Sequence, residues 1–268
     1  MMHSSDPVII EQHDNVSVIT LNRPEAMNAL DYDANHALIK AFSDFEANDD
    51  ARVAVVTGAG NKAFCAGADL KTYSLAYATK PAPYFRQHFV DGNGFGGITR
   101  GLRIGKPVIA AINGYAMSGG LELALAADFR FCSTDAEFAI QDVQWGMHPC
   151  DGGCVRLPQI VGMGHAMEII LSGERFDAEH ALRIGLVNRV IAPESLLDET
   201  VRYARLLATR APLAQRFAKD VSRRAPGMTL VDAIRMEENS FADLAHTEDL
   251  KEGVTSFAER RAPRFGGR

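Results

Sequence analysis

Apolar residues run without a break over Val108-Ile-Ala-Ala-Ile112, between Pro107 and Asn113-Gly114, which predicts a strand buried on both faces. Leu121, Leu123, Ala124 and Leu125 then crowd a segment ended by Asp128, which predicts a helix, with Gly119 and Gly120 at the junction. Two strands are expected at Val8 to Glu11 and Val16 to Leu21 around Asp14-Asn15, a hairpin that leaves its sheet at Asn22-Arg23-Pro24. Ala37, Leu38, Ala41, Phe42 and Phe45 recur at helical spacing between Asp33 and Asn48, and the β-branched run Val53 to Thr57 follows. Strand, helix and strand in that order predict a right-handed crossover with parallel pairing. Further strands are expected at Phe129 to Cys132, Glu137 to Ile140 and Leu186 to Ile191, and helices at about Gln159 to Leu171 and at Ala178 to Ile184, the latter capped by Asp177. After Pro193 the pattern becomes helical throughout: Glu194 to Thr209, Pro212 to Arg224, Leu230 to Ala245 and Leu250 to Arg261 are amphipathic, with Pro, Gly or Asp between them. The chain therefore divides into an α/β core over 1–192 and a helical region over 193–268. Lys71 to Arg100 has weak periodicity, two prolines, a glycine cluster and scattered aromatics Tyr73, Tyr77, Tyr84, Phe85, Phe89 and Phe95, which predicts a mobile pocket wall rather than core.

Composition narrows the classes of function. A net charge of −6 with no basic patch in the body of the chain argues against a nucleic-acid partner. No apolar run approaches the roughly 18 residues of a membrane span, and Met1 to Pro7 carries no signal-peptide pattern, so a cytoplasmic protein without a membrane partner is expected. Cys65, Cys132, Cys150 and Cys154 then need not pair. His148 with Cys150-Asp-Gly-Gly-Cys154 invites a metal reading, but a fourth ligand and the CxxC spacing are missing, so no metal is expected. The tail from Lys251 is locally basic, with Arg260, Arg261, Arg264 and Arg268 against Glu252 and Glu259. It suits either a phosphate ligand or a solvated helix end.

The central elbow carries the chemistry. A helix N-terminus offers unpaired amides and a positive dipole end, and glycines let another group approach. Glu122 lies in that first turn, where the motif alone leaves it open between a dipole-stabilised structural residue and a catalytic one. Ala66-Gly67-Ala68 is a second small-residue turn leaving a strand, and a parallel sheet brings such turns to one edge. Two amides aimed at one oxygen make an oxyanion hole, which a nearby carboxylate complements by moving a proton. Other chemistries lack their motifs: position 116 is Ala, so Ser118 is in no GxSxG elbow; Gly162-Met-Gly164-His-Ala-Met167 lacks the third dinucleotide-fold glycine; and no HExxH or P-loop occurs.

These stretches resemble the enoyl-CoA hydratase/isomerase (crotonase) family nearly end to end. The match runs from Leu21-Asn-Arg-Pro-Glu-Ala-Met-Asn-Ala-Leu30 through Phe64-Cys-Ala-Gly-Ala-Asp-Leu70, Ala111-Ile-Asn-Gly-Tyr-Ala-Met-Ser-Gly-Gly-Leu-Glu-Leu-Ala124 and Leu171-Ser-Gly-Glu-Arg-Phe-Asp-Ala178 to Gly185-Leu-Val-Asn-Arg-Val190. The resemblance implies an α/β fold: a crotonase-like core of stacked ββα units with a C-terminal α-helical trimerisation region, assembled as a homotrimer or a hexamer of two trimers. It implies an acyl-CoA thioester partner whose carbonyl oxygen is held by the amides of Ala68 and Gly119, with no cofactor beyond the CoA of the substrate. By the same resemblance Glu122 is the first catalytic carboxylate and Asp142 the second, where hydratases usually carry Glu; the shorter side chain loses about 1.5 Å of reach. Ala26, Ala66, Asp69, Leu70, Gly120 and Trp145 are implied at the substrate, and Phe257 and Arg260 at the adenine and 3′-phosphate. His148, Cys150 and Asp151 stand where members usually carry small or apolar residues. The implied reaction is water addition to a 2-enoyl-CoA. Double-bond isomerisation, acyl-CoA hydrolysis or dehalogenation on the same fold, or an idle CoA-binding trimer, are the alternatives.

Overall fold

The computed structural model describes residues 6–87 and 92–268; Phe89 of the expected pocket wall and most of the Met1 to Pro7 stretch lie outside the described residues. β1 (Val8–His13) and β2 (Val16–Leu21) form the antiparallel hairpin, turning through Asp14 at φ 55°. α1 (Tyr32–Ala47) is capped by Asp31, whose carboxylate accepts from the Ala34 amide at 2.8 Å, and it buries Ala34, Leu38, Ala41, Phe42 and Phe45 along one stripe.

A strand–strand–helix pattern then repeats. β3 (Val53–Gly58) and β4 (Ala63–Cys65) lead into α2 (Leu70–Thr79) and the single turn α3 (Ala82–Phe85). β5 (Val108–Ile112) and β6 (Tyr115–Met117) lead into α4 (Gly119–Ala126). β7 (Phe129–Ser133) and β8 (Glu137–Ala139) lead into α5 (Gly153–Val161) and α6 (Met163–Ser172), after which come β9 (Phe176–Asp177), α7 (Ala178–Arg183) and β10 (Arg189–Ile191). The first strand of each unit enters a six-stranded sheet ordered β1-β2-β3-β5-β7-β10, parallel except for β1. The second enters a four-stranded sheet ordered β4-β6-β8-β9, in which β4, β6 and β8 are parallel. This is the α/β core of ββα units that the resemblance implies.

The larger sheet is apolar on both faces because both are covered. Ala54, Val56, Ala110 and Ile112 join α1 and α4 in one core, whereas the alternating Val53, Val55, Ile109 and Ala111 pack against α8 (Leu196–Ala208) through Leu196, Val201 and Ala204. The first helix beyond residue 193 therefore belongs to the core. α9 (Pro212–Arg224) is tied to it by charge: Asp128, just past α4, pairs with Lys219 at 2.7 Å and Arg223 at 2.8 Å while accepting from the Val108 amide at 2.8 Å. α10 (Leu230–Leu244) and α11 (Glu248–Glu259) leave Leu230, Val231, Phe241, Val254 and Phe257 exposed.

Four expectations are corrected. The elbow is strand, turn, strand and helix, because Tyr115 to Met117 pair with β4 and β8 as a strand of their own. The stretch after Lys71 is helical at α2 and α3; its stripe is aromatic, with Tyr73, Tyr77 and Phe85 stepping ring to ring at 5.9 and 5.9 Å, Tyr32 of α1 lying 4.5 Å from Tyr73, and Tyr77 and Phe85 lining a cavity, so it lacks the aliphatic period of a core helix. The helix expected over Gln159 to Leu171 starts earlier, with Pro158 inside it, and breaks at Gly162, where φ is 80°. The strand expected over Leu186 to Ile191 pairs only from Arg189, because Ala181 carbonyl accepts from the Leu186 and Val187 amides and turns the chain there.

Candidate active site

The two small-residue turns meet at the end of the four-stranded sheet. β4 and β6 pair in parallel, so the chain leaves both strands side by side. A Cβ on Gly67 would stand 3.2 Å from the Gly119 nitrogen, and one on Gly120 would fall 1.9 Å from the Cys65 carbonyl oxygen. Only glycine at position 120 permits that approach. Among the described residues, the Ala68 and Gly119 amides have no backbone acceptor, and both residues line a cavity of about 700 Å³. Ser118, between β6 and α4, holds φ 47° and ψ −116°, a conformation costing a non-glycine residue about 1–3 kcal/mol. It places the Ser118 hydroxyl at the end of β8, where it accepts from the Gln141 amide at 3.1 Å and hydrogen-bonds the Asp142 carboxyl.

Glu122 points into this cavity from the first turn of α4 and is 2% exposed. Its Oε1 accepts from the Asp151 amide at 2.7 Å and the Gly153 amide at 2.8 Å, at the start of α5. Burial dominates its acidity, lifting it from an ordinary 4.5 to about 7; the two amides oppose the rise, and the like charges of Asp151 and Asp142 add to it. Asp142 opens the short turn Asp142–Trp145 after β8. Burial raises its pKa too, against the Ser118 hydroxyl and nearby His148. Its Oδ2 is buried without a hydrogen-bonding partner among the described residues. A buried orphan oxygen is uncommon in folded proteins. Two carboxylates on one cavity, both held toward the neutral form, are suited to moving a proton.

Ala66, Ala68, Leu70, Gly119, Glu122, Asp142 and Trp145 all line the cavity. The remaining residues implied by the resemblance do not. Ala26 ends the short turn Pro24–Ala26. Asp69 caps α2 through the Lys71 amide and pairs with Arg23 at 3.1 Å. Gly120 is buried behind the glycine turn. Phe257, at 86% exposed, and Arg260 stand at the surface end of α11. Much of the basic tail is committed within the chain: Arg261 pairs with Glu252 and Glu259, and Arg268 with Glu248. Three expected wall aromatics, Tyr77, Phe85 and Phe95, do line the cavity, joined by Met117 of the elbow motif and by Arg86, Arg100, Gln141 and Met147. Among the described residues no three His, Cys, Asp or Glu side chains group to hold a metal. Cys150 keeps exposed surface, while desolvation on its cavity side pushes the thiol up to about 12.

The chain is 41% identical over 261 residues to (E)-benzylidenesuccinyl-CoA hydratase of Thauera aromatica, covering 97% of this chain and 99% of that one. It is 40% identical to carnitinyl-CoA dehydratase of Escherichia coli strain K12, covering 98% and 100%. The crystal structure of enoyl-CoA hydratase from Mycobacterium tuberculosis H37Rv superposes with a TM-score of 0.89 at 35% identity, over 98% of this chain and all of that one. Residues 11–268 match the model of the enoyl-CoA hydratase/isomerase family. With its ββα core and paired turns, the chain belongs to the enoyl-CoA hydratase/isomerase family and is an enzyme of the hydratase and dehydratase type.

Proposed function

We propose that the protein adds water across the double bond of a 2-enoyl-CoA thioester. The thioester oxygen accepts from the Ala68 and Gly119 amides, which lower the energy of the enolate formed as water attacks C3. Glu122, ionised, takes the proton from that water. Asp142, protonated, delivers a proton to C2, and the pair is reset by exchanging these protons with solvent. The observation that carries this reading is a buried and a half-buried carboxylate facing one cavity beside two amides without backbone acceptors among the described residues. The aromatic lining from Tyr77, Phe85, Phe95 and Trp145 supports a bulky acyl group over a short straight one. The exposed apolar face of α10 and α11 supports assembly into a trimer or hexamer. The test is turnover of a panel of aryl and alkyl 2-enoyl-, 3-hydroxyacyl- and halogenated acyl-CoA thioesters with product identification. Interconversion of the 2-enoyl and 3-hydroxyacyl thioesters is expected. Free acid and CoA, or a shifted double bond without water, would point to hydrolysis or isomerisation instead.

A further inference from the structure

Hydration as proposed leaves one buried carboxylate of the cavity without a task. Asp151 is 5% exposed, and its Oδ1 accepts from the Phe95 amide at 2.9 Å and the Thr99 hydroxyl at 2.9 Å, and forms an ion pair with Arg100, whose Nε lies 3.2 Å away. Two donors and one paired guanidinium on one oxygen, all from residues 95–100, make this side chain the fastening of that segment. The backbone of Asp151 faces the other way. Its amide donates to Glu122 at 2.7 Å, and its carbonyl accepts from Arg156 Nη1 at 3.0 Å, while Arg156 Nη2 donates to the Thr99 carbonyl at 2.6 Å. Arg156 can turn back in this way because position 152 has no side chain: with φ at +118°, a Cβ there would fall 1.9 Å from Nη1. The segment so held is a wall of the cavity. Phe95 is buried, and its ring edge comes 3.1 Å from where a Cβ on Gly119 would stand, beside an amide assigned to the thioester oxygen.

We propose that Asp151 is a positioning residue that locks the 95–100 wall of the acyl cavity to the loop holding Glu122, so that one side chain sets both the cavity shape and the placing of the base. The catalytic half rests on the hydration reading; the mechanical half does not. Asp142, Asp151, Cys150, Cys154 and Arg156 are the titratable and charged groups that face Glu122. Asp151 adds a like charge there, so removing the charge while keeping the fastening separates its two effects.

The experiment compares Asp151→Asn and Asp151→Ala with the wild-type protein by amide hydrogen exchange and by kcat/KM against pH. Asn keeps an acceptor oxygen for Phe95 and Thr99. It should leave exchange at 95–100 unchanged and KM within about twofold, while moving the acid limb of kcat/KM to lower pH. Ala removes both effects: exchange at 95–100 should rise and kcat/KM should fall about 10²-fold, the cost of an ångström-scale misplacement. Wild-type exchange and turnover in the Ala variant, or an unmoved acid limb in the Asn variant, would overturn the proposal. If the Ala variant does not fold, the Asn variant decides. Absence of enoyl-CoA turnover by the wild-type protein would sink the hydration reading alone, since the exchange comparison needs no substrate.

Discussion

Glu122 is the residue at which stability and reactivity oppose each other. Its folded pKa, about 7, lies above its ordinary 4.5, so the native state holds the extra proton between those values. Stability therefore falls as pH rises through that window, by on the order of 3 kcal/mol for the full shift. Glu122→Gln removes the buried charge and keeps an oxygen for the Asp151 and Gly153 amides. It should unfold at a higher temperature than wild type at pH 8 while losing at least about 10³-fold in hydration rate; thermal scans at two pH values and a steady-state assay check both. Asp142→Asn should be comparably inactive. A variant with near-normal hydration would remove Asp142 from the mechanism. Glu122 was legible because it follows two glycines in a first turn. Its amide donors were not, because they sit 29 and 31 residues away and no local pattern ties them to it.

At the scale of elements, what the sequence revealed was what is periodic. The strands of the larger sheet and the four C-terminal helices follow from unbroken apolar runs and from amphipathic stripes. β4 and β6, three residues each, are too short to show a period, and they are the strands that carry the two turns of the site. α2 hid for another reason: its inward face is tyrosine, with Tyr73 buried and Tyr77 on the cavity, rather than an aliphatic stripe. Tertiary charge was equally invisible. Asp128 reads as a helix stop, yet it gathers Lys219, Arg223 and the Val108 amide, so α4, β5 and α9 share one anchor. Asp128→Ala leaves the largely buried Lys219 without its partner and should cost about 2–4 kcal/mol. Denaturant unfolding measures this, and a loss under 0.5 kcal/mol would mean the anchor is ornamental.

For the whole molecule, the open question is what covers the C-terminal helices. Phe241 and Val254 are 64% and 65% exposed and line one apolar groove with Phe257. If the proposed trimer or hexamer closes over this groove, Phe241→Glu should give monomers by light scattering while the fold persists, and an unchanged mass would place the interface elsewhere. Arg260, at the end of α11, has no ion pair among the described residues. If it meets the CoA phosphate, Arg260→Ala should raise KM for an acyl-CoA about tenfold with kcat unchanged, and leave a pantetheine thioester unaffected. Equal weakening of both substrates would show that no phosphate clamp exists. That Glu122 and Asp142 add water across the 2-enoyl double bond, through an enolate held by Ala68 and Gly119, is tested most directly by turnover of a 2-enoyl-CoA in isotopically labelled water. The account predicts a 3-hydroxyacyl-CoA carrying one labelled oxygen at C3, formed by the wild-type protein and not by Glu122→Gln. Label in a released carboxylic acid, or a rearranged enoyl-CoA without label, would contradict it.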